Sequence, residues 1–263
     1  MRINNNITAL NSHRQYTINN SGIGRNVEKL SSGFRVNRAG DDAAGLAISE
    51  KMRTQIRGLN MASKNSQDGI SLVQTAEGAM QTAHNIMQRM RELAVQSANG
   101  TNDVTVDRAA LNLEFVQLQK EISQIQTTVK FNDMDIFGAT FTIQSGANKG
   151  DETGFFVGSI KNLTGDIKSI GNASNEIANM TKAINSLSSS RAELGAIQNR
   201  LEFKIQNLDN SAENLTAAES RIRDVDMAKM MTEFTKNNIL FQASTAMLAQ
   251  ANTIPQGVLQ LLG

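Results

Sequence analysis

The sequence predicts a mainly α fold, a long antiparallel helical bundle or coiled coil that carries a small β-hairpin, and three observations predict it. Apolar residues recur every seven positions at Leu187, Leu194, Leu201, Leu208, Leu215 and Ile222, with Ile177, Ile184, Ile205 and Ala212 at the other seam position. Such 3-4 spacing marks one long helix packed along a seam, and these six leucine-row residues are the expected bundle core. The 263 residues include one proline, where average usage would give about thirteen, so little interrupts a helix. Between Phe131 and Gly171 the helical period disappears and short β-prone runs replace it.

Each element follows from the same logic. At 1.5 Å per residue, Ile177 to Ile222 spans roughly 70 Å, too long for a compact domain of 28.6 kDa. Two further amphipathic runs supply partners for it: Ile70, Val73, Met80, Met87, Met90 and Ala94, and then Leu111, Phe115, Leu118, Ile122, Ile125 and Val129. Gly33 suits a left-handed helix end, and Asp41 or Asp42 suits the cap of a helix starting at Ala43. Residues 34–42 and 99–103 read as hinges or turns. Thr140 to Ser145 and Gly154 to Ile160 flank a Gly-, Asn- and Lys-containing stretch, which predicts a hairpin at about 138–162. A disordered glycine-rich insertion is the competing reading there.

The two ends are unusual in their chemistry. No charged side chain occurs after Lys236, yet Phe234, Phe241 and Leu248 form one apolar row and Leu240, Met247, Ile254 and Leu261 another. Before Gly24 the fixed charges are Arg2 and Arg14, with Ile3, Ile7, Leu10 and Ile18 as a stripe. A helix facing water as a monomer normally carries lysine and glutamate. Both ends are therefore read as self-assembly surfaces that become helical when neighbouring subunits cover them. A membrane-surface helix competes for the tail, but it would carry Lys or Arg on its polar face.

Composition narrows the function. The chain has 40% hydrophobic and 19% charged residues, enough for a real core. Without cysteine there is no disulfide scaffold, thiolate metal site or cysteine nucleophile. His13 and His84 are the two histidines and no HExxH occurs, so no metal, cofactor or catalytic triad is expected, and an enzyme is not expected. Asp41/Asp42, Asp133/Asp135 and Asp224/Asp226 read as caps and ion-pair partners, with acid–base or calcium chemistry as the unsupported alternative. A net charge of +1 offers no field for nucleic acid. No run of eighteen apolar residues predicts membrane insertion, and Met1 to Leu10 lacks the apolar stretch of a secretory signal.

With these features in place, the chain resembles the bacterial flagellins. Lys29 to Glu50 (KLSSGFRVNRAGDDAAGLAISE), Ala62 to Met80, Gln88 to Ala98, Asn214 to Met231, and the closing AMLAQAN and GVLQLLG carry the likeness. It covers nearly the whole chain and is similar to the short members, which lack the variable outer domains. The resemblance implies a filament subunit whose termini, residues 1–43 with 222–263, form an inner helical coiled coil on assembly, around which residues 44–221 form the long-helix bundle and hairpin. A hook-filament junction protein shares these termini and is the alternative; a non-polymerising coiled-coil effector is the reading from another class.

The resemblance also implies partners and a location. Subunits would leave by the type III flagellar export route to an extracellular flagellum, with an export chaperone on Ile222 to Leu262 and with filament cap and hook-filament junction proteins as neighbours. It further implies recognition by a Toll-like receptor of animal innate immunity at Gln88, Arg89, Leu93, Gln96 and Glu114. Met87, Met90 and Ala94 occupy the buried stripe, so Arg89 and Leu93 are expected on another face, with packing against the next subunit as the simpler role of Leu93.

Overall fold

The computed structural model describes residues 6–161 and 163–262, the residues from 254 onward as helical backbone. Five helices occur in it: α1 (Ile7–Ser32), α2 (Ala43–Ala98), α3 (Asp107–Thr128), α4 (Ile170–Arg223) and α5 (Met227–Leu262). Two small antiparallel pairs lie between α3 and α4: β1 (Lys130–Phe131) with β2 (Met134–Asp135), and β3 (Thr140–Gln144) with β4 (Glu152–Phe156). The chain divides into two compact units, Met1–Thr54 with Glu213–Gly263, and Gln55–Ala212. Leu215 and Ile222 thus group with the terminal unit. Leu187, Leu194, Leu201 and Leu208 are buried as expected, whereas Leu215 and Ile222 are only half-buried.

In the second unit, α2 runs antiparallel to both α3 and α4. Arg89 meets Glu114 and Arg108 meets Ser97 on the α3 side, while Arg91 meets Thr181 and Ser63 meets Asp209 on the α4 side. Two neighbours demand a wider apolar face than a two-helix seam. The face of α2 consists of the 3-4 rows through Val73, Met80, Met87 and Met90, and a third row, Leu72, Ala79, Ile86 and Leu93, lies beside them. Phe115 and Ile122 of α3 and Met180, Ala183, Leu187 and Leu194 of α4 fill the same core.

The irregular chain after α3 is anchored rather than free. β1 and β2 are joined by Asn132 and Asp133, both at positive φ (50° and 62°), the backbone a tight I′ turn demands and Asn and Asp tolerate. This hairpin was not anticipated, although Asn-Asp is its signal. In the second hairpin Thr140 pairs with Phe156 and Gln144 with Glu152, so its return strand starts two residues before the expected Gly154 and stops before Ile160. The apolar residues beyond it serve another purpose: Val157, Ile160 and Ile167 are buried in the helical core. Ile167 is held at both ends, its N–H donating to Asn112 Oδ1 (3.1 Å) and its carbonyl accepting from Ser97. The hairpin rests on α2, where Asn65 Nδ2 donates to the Gln144 carbonyl (3.1 Å) and Gly69 leaves room for Ile143; a Cβ at Gly69 would lie 2.1 Å from Ile143 Cδ1.

Arg108 is a buried cation with a structural task. Its guanidinium donates to the carbonyls of Ser97 and Asn99, both at 3.1 Å, where α2 ends without a basic residue of its own. It satisfies orphan carbonyls and opposes the negative end of the helix dipole. Arg108→Met should lower unfolding stability by about 1–3 kcal/mol through the unpaired carbonyls, read as a lower denaturant midpoint; an unchanged midpoint would remove this role.

Candidate functional site

The terminal helices begin and end where the sequence dictates. Asn6 accepts from the Ala9 N–H (3.1 Å) to cap α1, and Gly33 closes it in the left-handed region (φ 73°), donating to the Lys29 carbonyl at 2.9 Å. Asp42 and Asp226 accept from Gly45 (2.8 Å) and Lys229 (3.2 Å), capping α2 and α5. Asp135 pairs with Lys130 at 3.2 Å. These carboxylates therefore have the capping and pairing roles expected of them.

α1 and α5 pair antiparallel: Asn6 Nδ2 donates to the Ala251 carbonyl (2.7 Å), Tyr16 stacks tilted on Phe241 (4.8 Å between centroids), and Asn19 donates to Ser244 (3.0 Å). Gly22 packs against Asn237, where a Cβ would sit 3.1 Å from Nδ2. The less exposed residues include Ala9, Ser12, Tyr16, Asn19, Ile23, Asn26 and Leu30 of α1 and Met230, Phe234, Asn237, Phe241, Ser244, Leu248 and Ala251 of α5. Both sets keep 3-4 spacing, so this is a seam, but half of it is Asn, Ser, Ala or Gly. Small residues let the backbones approach, with Cα atoms within 8 Å along the pair.

The expected self-assembly residues consequently split into two groups. Phe234, Phe241 and Leu248 turn inward to α1. Ile7 (67% exposed), Leu10 (66%), Ile18 (53%), Leu240 (41%) and Met247 (63%) face away from it. Ile3 and the side chains of Ile254 and Leu261 lie outside the described residues. Polar seam positions such as Asn19 and Asn237 escaped the sequence reading because it followed apolar rows; a search for small and amide residues at 3-4 spacing would have found them.

The breaks after α1 and α4 are clasped together. Arg35 N–H donates to the Arg223 carbonyl (2.7 Å), Val225 N–H to the Gly33 carbonyl (3.0 Å), and Phe34 and Asp224 form an isolated β-bridge. The Arg35 guanidinium donates to the Ile222 carbonyl. The Arg223 guanidinium lies 4.7 Å over the Phe34 ring and donates to Glu50 Oε1 at 2.6 Å. That hydrogen bond, with the charges of Arg223 and Arg53, holds the Glu50 carboxyl below its ordinary pKa. Residues 34–42, expected to be a hinge or turn, are thus a cross-linked segment, and Asp41 reinforces it by accepting from the Asn37 and Arg38 N–H groups.

On α2, the residues expected to meet a receptor are not on one surface. Gln88, Arg89, Gln96 and Glu114 are exposed, with Arg89 bridging Glu114 (2.9 Å) and Glu92 (3.2 Å). Leu93 is 1% exposed and belongs to the core. The placement of Leu93 beside Arg89 on an outer face is corrected: the third core row that α2 needs for a second helical neighbour passes through it. Among the described residues no three His, Cys, Asp or Glu gather as for a metal ion, and no helix is long and apolar enough to cross a membrane.

Comparison with known proteins adds a consistent picture. Residues 3–142 match the bacterial flagellin N-terminal helical region and residues 177–262 the C-terminal helical region. The chain is 57% identical to a flagellin of Halalkalibacterium halodurans and 50% to one of Bacillus subtilis, in both cases over 100% of each chain. It is 44% identical, again over 100% of both, to the flagellar filament 33 kDa core protein of Treponema phagedenis. The crystal structure of Bacillus cereus flagellin superimposes with a TM-score of 0.52 at 33% identity, covering 59% of this chain and 94% of that one.

A depressed Glu50 pKa makes the clasp's contribution present above the ordinary carboxylate range and lost as pH falls through the depressed value. Glu50→Gln should therefore lower stability at neutral pH and flatten the acid limb of a midpoint-against-pH profile. Superimposable profiles for the variant and the parent would contradict this.

Proposed function

The chain belongs to the bacterial flagellin family and is a structural subunit that polymerises into the helical flagellar filament, and from that premise we propose how its surfaces divide the work. The outward rows of α1 and α5, Ile7, Leu10, Ile18, Leu240 and Met247, meet neighbouring copies, while the inward rows hold the two helices of one chain together. The observation that carries this is the exposure of those five side chains on helices whose pairing face is already occupied. An open helical polymer needs unlike patches in contact, and two apolar helices presenting different residues supply them. The termini order fully on polymerisation, as their half-polar seam supports: Asn26 is buried there with its Nδ2 amide unpaired.

The filament reading is preferred over a hook-filament junction protein because the relatives named above are flagellins and a filament core protein. The subunit is part of the extracellular flagellum and acts mechanically; catalysis is no part of the proposed role. The tail from Ile222 to Leu262, which includes the exposed Leu240 and Met247, is the footprint for an export chaperone. Cap and junction proteins engage the same terminal surfaces at the filament ends.

For the Toll-like receptor, the recognised surface is Gln88, Arg89, Gln96 and Glu114, and Leu93 acts from beneath by fixing the helix that displays them. Arg89→Ala should impair receptor signalling by a protein whose denaturant midpoint is unchanged. Leu93→Ala should cost about 2–5 kcal/mol of stability as a buried leucine truncation does. Signalling unaffected by a folded Arg89→Ala protein would defeat the receptor surface.

Leu240→Asp tests the assembly surface. Placing a charge in an outward apolar row should raise the critical concentration for polymerisation by about tenfold or more, with few or no tubes by electron microscopy. Filaments of normal length at the parent's critical concentration would overturn the division of rows.

A further inference from the structure

The described methionines range from sealed to exposed. Met80, Met87, Met90 and Met180 are sealed in the long-helix core, at 0–1% exposure. Met227, Met231 and Met247, all on α5, are between 48% and 63% exposed, and Met61 on α2 and Met134 on β2 are exposed as well, at 57% and 46%. Met247 shares an outward row with Leu240, one heptad before it, and Met227 and Met231 lie one turn apart near the start of the helix. The chain has no cysteine, so thioether sulfur is its only oxidisable sulfur. Met247 thus puts a residue whose polarity an oxidant can change into the outward row that assembly needs apolar, and Met227 and Met231 expose two more on the same helix.

We propose that Met227, Met231 and Met247 are oxidation sites through which peroxide controls polymerisation, an inference that rests on the assembly role assigned to α5. In the monomer a peroxide oxygen transfers to each Sδ. The O–O bond breaks and an S=O bond forms; the sulfur is oxidised by two electrons, and the peroxide is reduced to water. The product sulfoxide is polar and strongly hydrogen-bonding, so burying it against a neighbouring copy costs what burying a thioether gained. Oxidised subunits are excluded from the growing polymer, and reduction by a methionine sulfoxide reductase readmits them. Within the filament the same sulfurs are covered and protected, so the modification acts on subunits before assembly. The core methionines stay reduced, which leaves the long-helix unit folded.

The test treats monomer and preformed filament of the full chain with dilute hydrogen peroxide and maps sulfoxide by peptide mass spectrometry, then measures the critical concentration. The expected result is sulfoxide at Met227, Met231 and Met247 in the monomer, several-fold less in the filament, and a critical concentration raised by about tenfold or more. Reductase treatment should restore it. The M227L/M231L/M247L triple variant, compared with its own untreated critical concentration, should show no rise after peroxide. Untreated parent protein that fails to polymerise would count against the assembly role itself. Untreated protein that polymerises, with oxidised protein polymerising equally well, would overturn the redox control alone. Equal loss in the triple variant would also overturn it, by placing the sensitive sulfur elsewhere.

Discussion

An α-helix with two apolar faces cannot cover both with a single partner helix, and this geometric limit governs the terminal unit. α1 and α5 each have a 3-4 seam toward the other and a second apolar row turned outward. The inward seam holds them with close backbones, one tilted aromatic contact and two amide hydrogen bonds, rather than with a leucine-rich core. Burying large apolar side chains is the main source of helix-pair stability, so a seam built this way leaves the pair marginal. The outward row then supplies the remaining driving force when further copies are present. A subunit of this kind stays manageable while single and becomes rigid in company.

The second unit solves the opposite problem. Its helices are held by large side chains, with Met80, Met87, Phe115, Leu194 and Leu201 fully buried, and it needs no neighbour to cover its core. Non-helical chain is used economically there. The described residues between Val157 and Ile167 form a strap whose buried Val157, Ile160 and Ile167 complete the core and whose backbone is anchored at Gly165 by Gln119 and at Ile167 by Asn112 and Ser97. Arg108 finishes α2 from a different helix. Polar groups at the periphery of this core are thus spent on closing helix ends and anchoring the strap.

Much of this was legible in the sequence because helices announce themselves by period. The boundaries at Gly33, at Ala43 and at Asn99 follow from αL freedom, a capping aspartate and a turn-rich run, and the leucine row from Leu187 to Leu208 is core as its spacing demanded. Leu93 was misplaced because the α2 stripe was drawn for one helical partner, and two partners add a third row. The return strand of the hairpin was extended too far because Val157 and Ile160 alternate like strand residues, whereas their burial belongs to the strap. The clasp of Arg223, Glu50 and Phe34 joins positions far apart in the chain, and no local pattern encodes such a pairing. The half-polar seam between α1 and α5 was hidden for a related reason: what fits the helices together there is smallness and amide pairing, and hydrophobic rows do not reveal it.

Amide hydrogen exchange, compared between monomer and filament, tests the central claim most directly. If the outward rows find cover only in other copies, amides throughout α1 and α5 exchange rapidly in the monomer and become strongly protected in the filament, while those of residues 55–212 are protected in both. Terminal helices equally well protected in the isolated subunit would show that one chain already satisfies them, and the account would fail.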